Sequence, residues 1–135
     1  METFRKLRLY NGIMAVLHFV QGLAVLLLST DFSLPVMTNY LKFDTATQSL
    51  QPSPETIGDL KIGPAVALFL FLSALAHLLL TLPGIYEWYV KNLKKGINYA
   101  RWIEYTLSSS VMIVVISMLV GVYDLSTLIL VFSIN

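Results

Sequence analysis

Three blocks of this 135-residue chain are apolar almost throughout, at about 9–29, 62–82 and 98–122. An α-helix needs about 20 such residues to cross the hydrocarbon core of a bilayer. Each block is long enough, and charged connections separate them. Composition agrees: 56% of the residues are hydrophobic and 13% charged, against roughly 25% charged in a soluble domain. The chain therefore reads as a single membrane domain over 1–135 and not as a globular domain with one large core.

The first block follows Arg5, Lys6 and Arg8, as a signal peptide would. It runs from Leu9 to Leu28, longer than the ~7–15 apolar residues of a signal, and no small-x-small cleavage pattern precedes Asp31. It is read as a retained transmembrane helix. Pro83-Gly84 closes the second block. A fourth apolar run, 125–135, is about half the length needed to span. The expected architecture is all-α: a polytopic transmembrane bundle of three full spans plus the start of a fourth. A stop in mid-span makes the chain read as part of something longer.

Charge sets the orientation. Residues 1–8, with Glu2, Arg5, Lys6 and Arg8, carry net +2, and 83–101, with Glu87, Lys91, Lys94, Lys95 and Arg101, carry net +3. The connection 30–61, with Asp31, Lys42, Asp44, Glu55, Asp59 and Lys61, carries net −2, and Asp124 adds −1 to the next. The positive-inside rule places the N-terminus in the cytoplasm and 30–61 outside. Tyr86, Trp88, Tyr89, Tyr99 and Trp102 flank the basic segment as an interfacial aromatic belt would. The long outer loop holds β-formers over Leu34–Phe43 and Thr45–Leu50, with Pro52 and Pro54 ending the stretch. A short β-hairpin with its turn near Asp44 is expected. Two strands alone are marginal in water, so it must lie on the helix ends or pair with another subunit.

Zero cysteines excludes disulfides and thiolate chemistry, and net charge +1 argues against a nucleic-acid partner. No Gly-rich phosphate loop or locally spaced metal-ligand set is present. What remains is polar chemistry inside the spans. His18 lies mid-span in the first, His77 about five residues from the inner end of the second, and Glu104 about five residues into the third. All three fall at the midplane or in the cytoplasmic half, and no charged side chain occupies the outer half of a span. An ionisable group in a membrane segment costs a few kcal/mol and usually has a function. Polar groups at one depth on successive helices suggest an internal polar cavity. Singly, each has a plainer reading: a hydrogen-bonded packing histidine, or a Glu104–Arg101 pair at i, i+3. Glu104, Tyr105, Ser108, Ser109 and Met112 follow i, i+1, i+4, i+5, i+8 and share one helix face. That face either lines a pocket for an elongated apolar ligand with a cationic end or allows close helix packing.

On these residues the chain resembles the heliorhodopsins. The carriers are Tyr10-Asn11-Gly12-Ile13-Met14-Ala15-Val16-Leu17-His18, Ala76-His77, Ala100-Arg101-Trp102-Ile103-Glu104-Tyr105, and Ser108-Ser109-Ser110-Val111-Met112. The resemblance covers nearly the whole chain. It implies a seven-helix parent, a multi-pass protein of the cell membrane with a cytoplasmic N-terminus, and a first outer loop that forms a β-hairpin and helps make a homodimer. It implies a light-sensing protein that binds all-trans retinal through a Schiff base to a lysine on the seventh helix. Glu104 would be the Schiff-base counterion. His18 and His77 would form the polar cavity and accept or relay a proton. Tyr105, Ser108, Ser109 and Met112 would contact the polyene. No lysine lies within 9–29, 62–82 or 98–122, since Lys42 and Lys61 belong to the outer loop and Lys6, Lys91, Lys94 and Lys95 to inner segments. The Schiff-base lysine is thus expected outside this chain, whether the chain is a natural or engineered fragment, one piece of a longer sequence, or complemented by a second chain.

The resemblance favours a non-enzymatic photoreceptor that signals and does not pump. The alternatives are a light-driven or light-gated proton or ion transporter, with Glu104 and the histidines as relay, and a non-photoactive scaffold or membrane enzyme with a His/Glu metal site.

Overall fold

The computed structural model describes residues 2–135, with side chains from Lys6 onward. Glu2 and Arg5, counted in the N-terminal charge, lie outside the described side chains. Helix α1 spans Glu2–Leu28, strands β1 and β2 span Ser33–Asp44 and Ser49–Lys61, and helices α2 to α5 span Ile62–Leu79, Ile85–Leu93, Tyr99–Leu119 and Leu125–Ile134. Among the described residues, three helices are long and apolar enough to cross a membrane: Lys6–Leu28, Ile62–Leu79 and Tyr99–Leu119. α5, with ten residues, is the short apolar helix expected after Asp124.

Only 17%, 17% and 22% of the most apolar stretch of each long helix is buried within the chain. Leucines, valines and isoleucines instead coat the outside: Leu27, Leu28, Val120 and Ile134 are each more than 70% exposed. A helix apolar all round belongs in lipid or among further helices. The chain's own core is small and lies at the hairpin end, where Ile62, Ala65 and Val115 pack with Leu34, Leu60 and Val66.

α1 runs antiparallel to α2, and small residues set their separation. A Cβ on Gly63 would meet Ser29 Cβ at 2.2 Å, and one on Gly22 would meet the Phe71 ring at 2.8 Å. Close approach through small residues is how membrane helices gain packing where lipid supplies no hydrophobic drive. α2 in turn contacts α4, and α4 contacts α5.

Several boundaries differ from the sequence expectation. α2 ends at Leu79, three residues before Leu82, because 80–82 tighten into a turn through Leu80 N–H to Ala76 O, Thr81 N–H to Leu78 O and Leu82 N–H to Leu79 O. The residue ahead of a proline disfavours helical backbone, so the helix unwinds before Pro83. α4 stops at Leu119, and Gly121 takes φ 98°, a left-handed conformation open to glycine at little cost. The segment 83–101 also contains a helix that was not anticipated, α3.

The hairpin is longer than expected. Its turn does follow Asp44, whose carboxylate accepts the Ala46 N–H and the Thr47 hydroxyl, both at 2.9 Å. β2, however, begins at Ser49 and not Thr45, and continues through Pro52 and Pro54 to Lys61. Those prolines face Leu41 and Asn39 across the pair. In a two-stranded ribbon each strand has a free edge, and residues two apart share one phase of the ladder. Both missing N–H groups can therefore fall on the outer edge. A bulge at Ile57 follows from the register step between Val36–Gly58 and Met37–Thr56.

The ribbon is tied to the helices at its root. Lys61 Nζ meets Asp31 Oδ1 at 2.8 Å, and Ile62 N–H bonds Phe32 O at 3.1 Å. Met37 N–H bonds Tyr123 O at 2.8 Å, and Asn39 donates to Asp124 Oδ1 at 3.1 Å. Asp124 also caps α5, its Oδ2 accepting the Thr127 N–H at 2.9 Å. The root thus lies on the helix ends, while Tyr40, Leu41, Phe43 and Leu50 in the distal half stay exposed.

Candidate functional site

The three polar residues singled out from sequence do converge. α1 and α2 bring the His18 and His77 rings into a stack, with centroids 5.6 Å apart and planes 20° from parallel. Glu104, on α4, faces α2. Glu104 Oε1 accepts two hydroxyl hydrogen bonds, from Ser73 on α2 at 2.6 Å and from Ser108 one turn on at 2.7 Å.

His77 is held by α1. The buried Asn11 donates its Nδ2 to Leu7 O at 3.0 Å, and its Oδ1 lies 2.9 Å from His77 Nδ1. The Leu7 carbonyl can only accept, so it fixes the amide orientation. Asn11 Oδ1 can likewise only accept, so Nδ1 of His77 carries the hydrogen. When neutral, His77 then presents Nε2 as a bare lone pair. His18 Nδ1 is 3.1 Å from Gln21 Oε1, a contact within its own helix.

Arg101 does not pair with Glu104 in the way the i, i+3 spacing allowed. Its guanidinium lies 5.0 Å over the Tyr105 ring and donates to the phenol oxygen at 3.2 Å. Among the described residues, no cation forms an ion pair with Glu104.

Between α2, α3, α4 and Asn11 of α1 lies a cleft of about 470 Å³. Its polar lining includes Asn11, His77, Asn98, Arg101 and Glu104, with the phenols of Tyr89 and Tyr105. His18, Ser108, Ser109 and Met112 do not reach it. The five-residue face of α4 therefore divides. Glu104 and Ser108 turn toward α2, whereas Tyr105 and Met112 are exposed, 46% and 39%. Ser109 donates to Tyr105 O at 2.7 Å and accepts from Asn135 on the α5 side at 2.6 Å.

Ser73, Asn11 and Gln21 were not singled out from sequence. Serine and amides are ordinary within apolar helices, and only the facing helix gives them partners. The signal for Asn11 was its place seven residues before His18, two helical turns along the same side of α1. Among the described residues, no three His, Cys, Asp or Glu side chains gather as a set of metal ligands.

The fold and site together define a class: a multi-pass helical membrane protein in which a carboxylate, without an ion-pair partner among the described residues, lies near an imidazole pair. The heliorhodopsin family profile matches residues 7–135, and the chain belongs to that family. No curated protein matches it. The family suggests a retinal-binding rhodopsin photoreceptor, implies retinal as the chromophore, and is not one of enzymes in the usual sense.

Proposed function

We propose that this chain contributes the counterion side of a light-sensing retinal protein that signals and does not pump. The observation that supports this most is Glu104. Its carboxylate sits within the helix bundle, carries two hydroxyl donors on one oxygen, and has no ion-pair partner among the described residues. An anion at that depth is stabilised by a cation brought close to it, and in this family that cation is the protonated retinal Schiff base.

The donor set suits this end of the chromophore. Ser73 and Ser108 orient the carboxylate, and Tyr105, Ser108, Ser109 and Met112 lie within two turns beyond it to contact the polyene. Retinal, when bound, supplies light absorption and an isomerisable double bond. The chain's residues supply the rest. Glu104 holds the compensating charge, and its position tunes colour. His77, with Asn11 fixing Nδ1–H, offers Nε2 to a released proton, and His18 stacks beside it as the next acceptor. The linkage lysine comes from outside these residues, because none lies mid-helix in α1, α2 or α4. The N-terminus and α3 are on the cytoplasmic side, as their charge supports. The hairpin's exposed distal half is the proposed contact in a homodimer of seven-helix protomers.

Adding all-trans retinal to the full-length protein should give a visible band that bleaches with hydroxylamine in light. No band overturns the reading. The stacked imidazoles favour one alternative, proton transport. Light-driven acidification or alkalinisation of a cell suspension, abolished by protonophore, would replace the sensor reading with a transporter.

A further inference from the structure

α3 and the start of α4 carry an assembly that the proposed photochemistry does not use. Trp88 stacks on Tyr99, with centroids 6.3 Å apart and planes 26° from parallel, and Tyr99 meets Trp102 edge-on at 5.4 Å. All three rings are exposed, by 42%, 42% and 59%. α3 is two-sided. Tyr86 and Tyr89 are buried against the bundle, with Arg8 placed 5.3 Å over Tyr86 and bonded to Thr81 O. Trp88 and Lys91, at i and i+3, share the opposite face, and Lys95 continues it just past the helix.

The charge on this face is one-signed. Glu87 is the single acidic residue between Asp59 and Glu104, and its carboxylate turns back to accept the Gly84 N–H at the start of α3. Among the described residues, no carboxylate pairs with Lys91, Lys95 or Arg101. Indole and phenol rings favour the headgroup level of a bilayer, and cations just beyond them attract anionic lipid. A short helix with one buried face and an aromatic, cationic other face is built to lie in the membrane plane.

We propose that this face selects anionic phospholipid from the adjoining leaflet, with Lys91 and Lys95 on the headgroup phosphate and the Trp88–Tyr99–Trp102 ladder at the level of the acyl carbonyls. This selectivity is independent of retinal binding.

The test uses the fact that Trp88 and Trp102 are the chain's two tryptophans, both in the ladder. The full chain is reconstituted in phosphatidylcholine vesicles containing, at equal mole fraction, brominated phosphatidylglycerol or brominated phosphatidylcholine. Tryptophan quenching should be about twofold stronger with the anionic lipid and should fall toward the neutral value in high salt. In the Lys91→Gln/Lys95→Gln variant the two lipids should quench equally. Both lysines are exposed, and far-UV circular dichroism confirms unchanged helicity. Equal quenching in the unaltered chain, or an undiminished preference in the variant, overturns the proposal. Equal lipid quenching together with a lysine-dependent emission shift on adding polyglutamate also overturns it, assigning the face to a soluble acidic partner.

Discussion

Glu104 occupies a position where a charge costs a few kcal/mol unless something compensates it. Two hydroxyl donors on one oxygen offset part of that cost, at about 0.6 kcal/mol for a typical hydrogen bond in a membrane helix pair. If the carboxylate also faces the retinal cation, it stabilises positive charge localised at that end. Glu104→Gln in the retinal-bound full-length protein should then move the absorption maximum to the red, and an unchanged spectrum would remove Glu104 from the role. Asn11→Ala should release His77 from its Nδ1–H tautomer, read as a change in the imidazole ¹⁵N shifts; unchanged shifts would show that Asn11 does not set it. Glu104, His18 and His77 were legible in the sequence because ionisable side chains stand out in apolar runs. Ser73 and Asn11 were not, because a hydroxyl or amide in a helix gains meaning only from the residue opposite.

Between elements, the α1–α2 contact makes the sharpest demand. The Cβ of Gly63→Ala would fall 2.2 Å from Ser29 Cβ, so helix backbones must separate. Overpacking of this kind costs about 1–3 kcal/mol, and the unfolding midpoint in detergent should drop accordingly. Gly22→Ala should cost less, because its neighbour is the Phe71 ring, which can turn aside. The hairpin root also carries an ion pair. The Lys61 ammonium, through its hydrogen bond and charge, holds Asp31 below its ordinary value of 3.8, and Asp31 holds Lys61 above 10.5. The carboxylate's contribution is complete above 3.8 and is lost as pH falls through the lowered value. The ammonium's contribution is complete below 10.5 and is lost as pH rises through the raised one. Both groups are open to solvent, so salt should weaken the pair. An NMR titration of the Asp31 carboxyl should show a midpoint below 3.8 that returns upward in Lys61→Gln. At this scale the long helices were legible from their apolar length. α3 was not, because nine residues of mixed polarity give no such run, and β2 was cut short because an edge strand accepts prolines that a central strand would not.

Across the whole molecule, packing is concentrated at the hairpin end. Ile62, Ala65 and Val115 meet Leu34 and Leu60 there, and the Met37–Tyr123 bond joins β1 to the α4–α5 connection. Amide exchange should therefore be slowest near 60–66 and 113–118 and fast over the distal hairpin, 40–52. Uniform exchange along the ribbon would show that its root is not anchored. The apolar exterior of α1, α2 and α4 remains open to lipid or to further helices, which is why a membrane class follows from composition alone. By itself the sequence determined that class, the number of membrane-length helices, the hairpin and the residues that carry charge into the membrane. Transfer free energy depends on length and residue type, and both are local. Only the tertiary structure decided that His18 meets His77, that Ser73 and not Arg101 answers Glu104, and that Arg101 turns to Tyr105. Those outcomes depend on the rotation and register of one helix against another, set by side-chain packing that no single segment encodes.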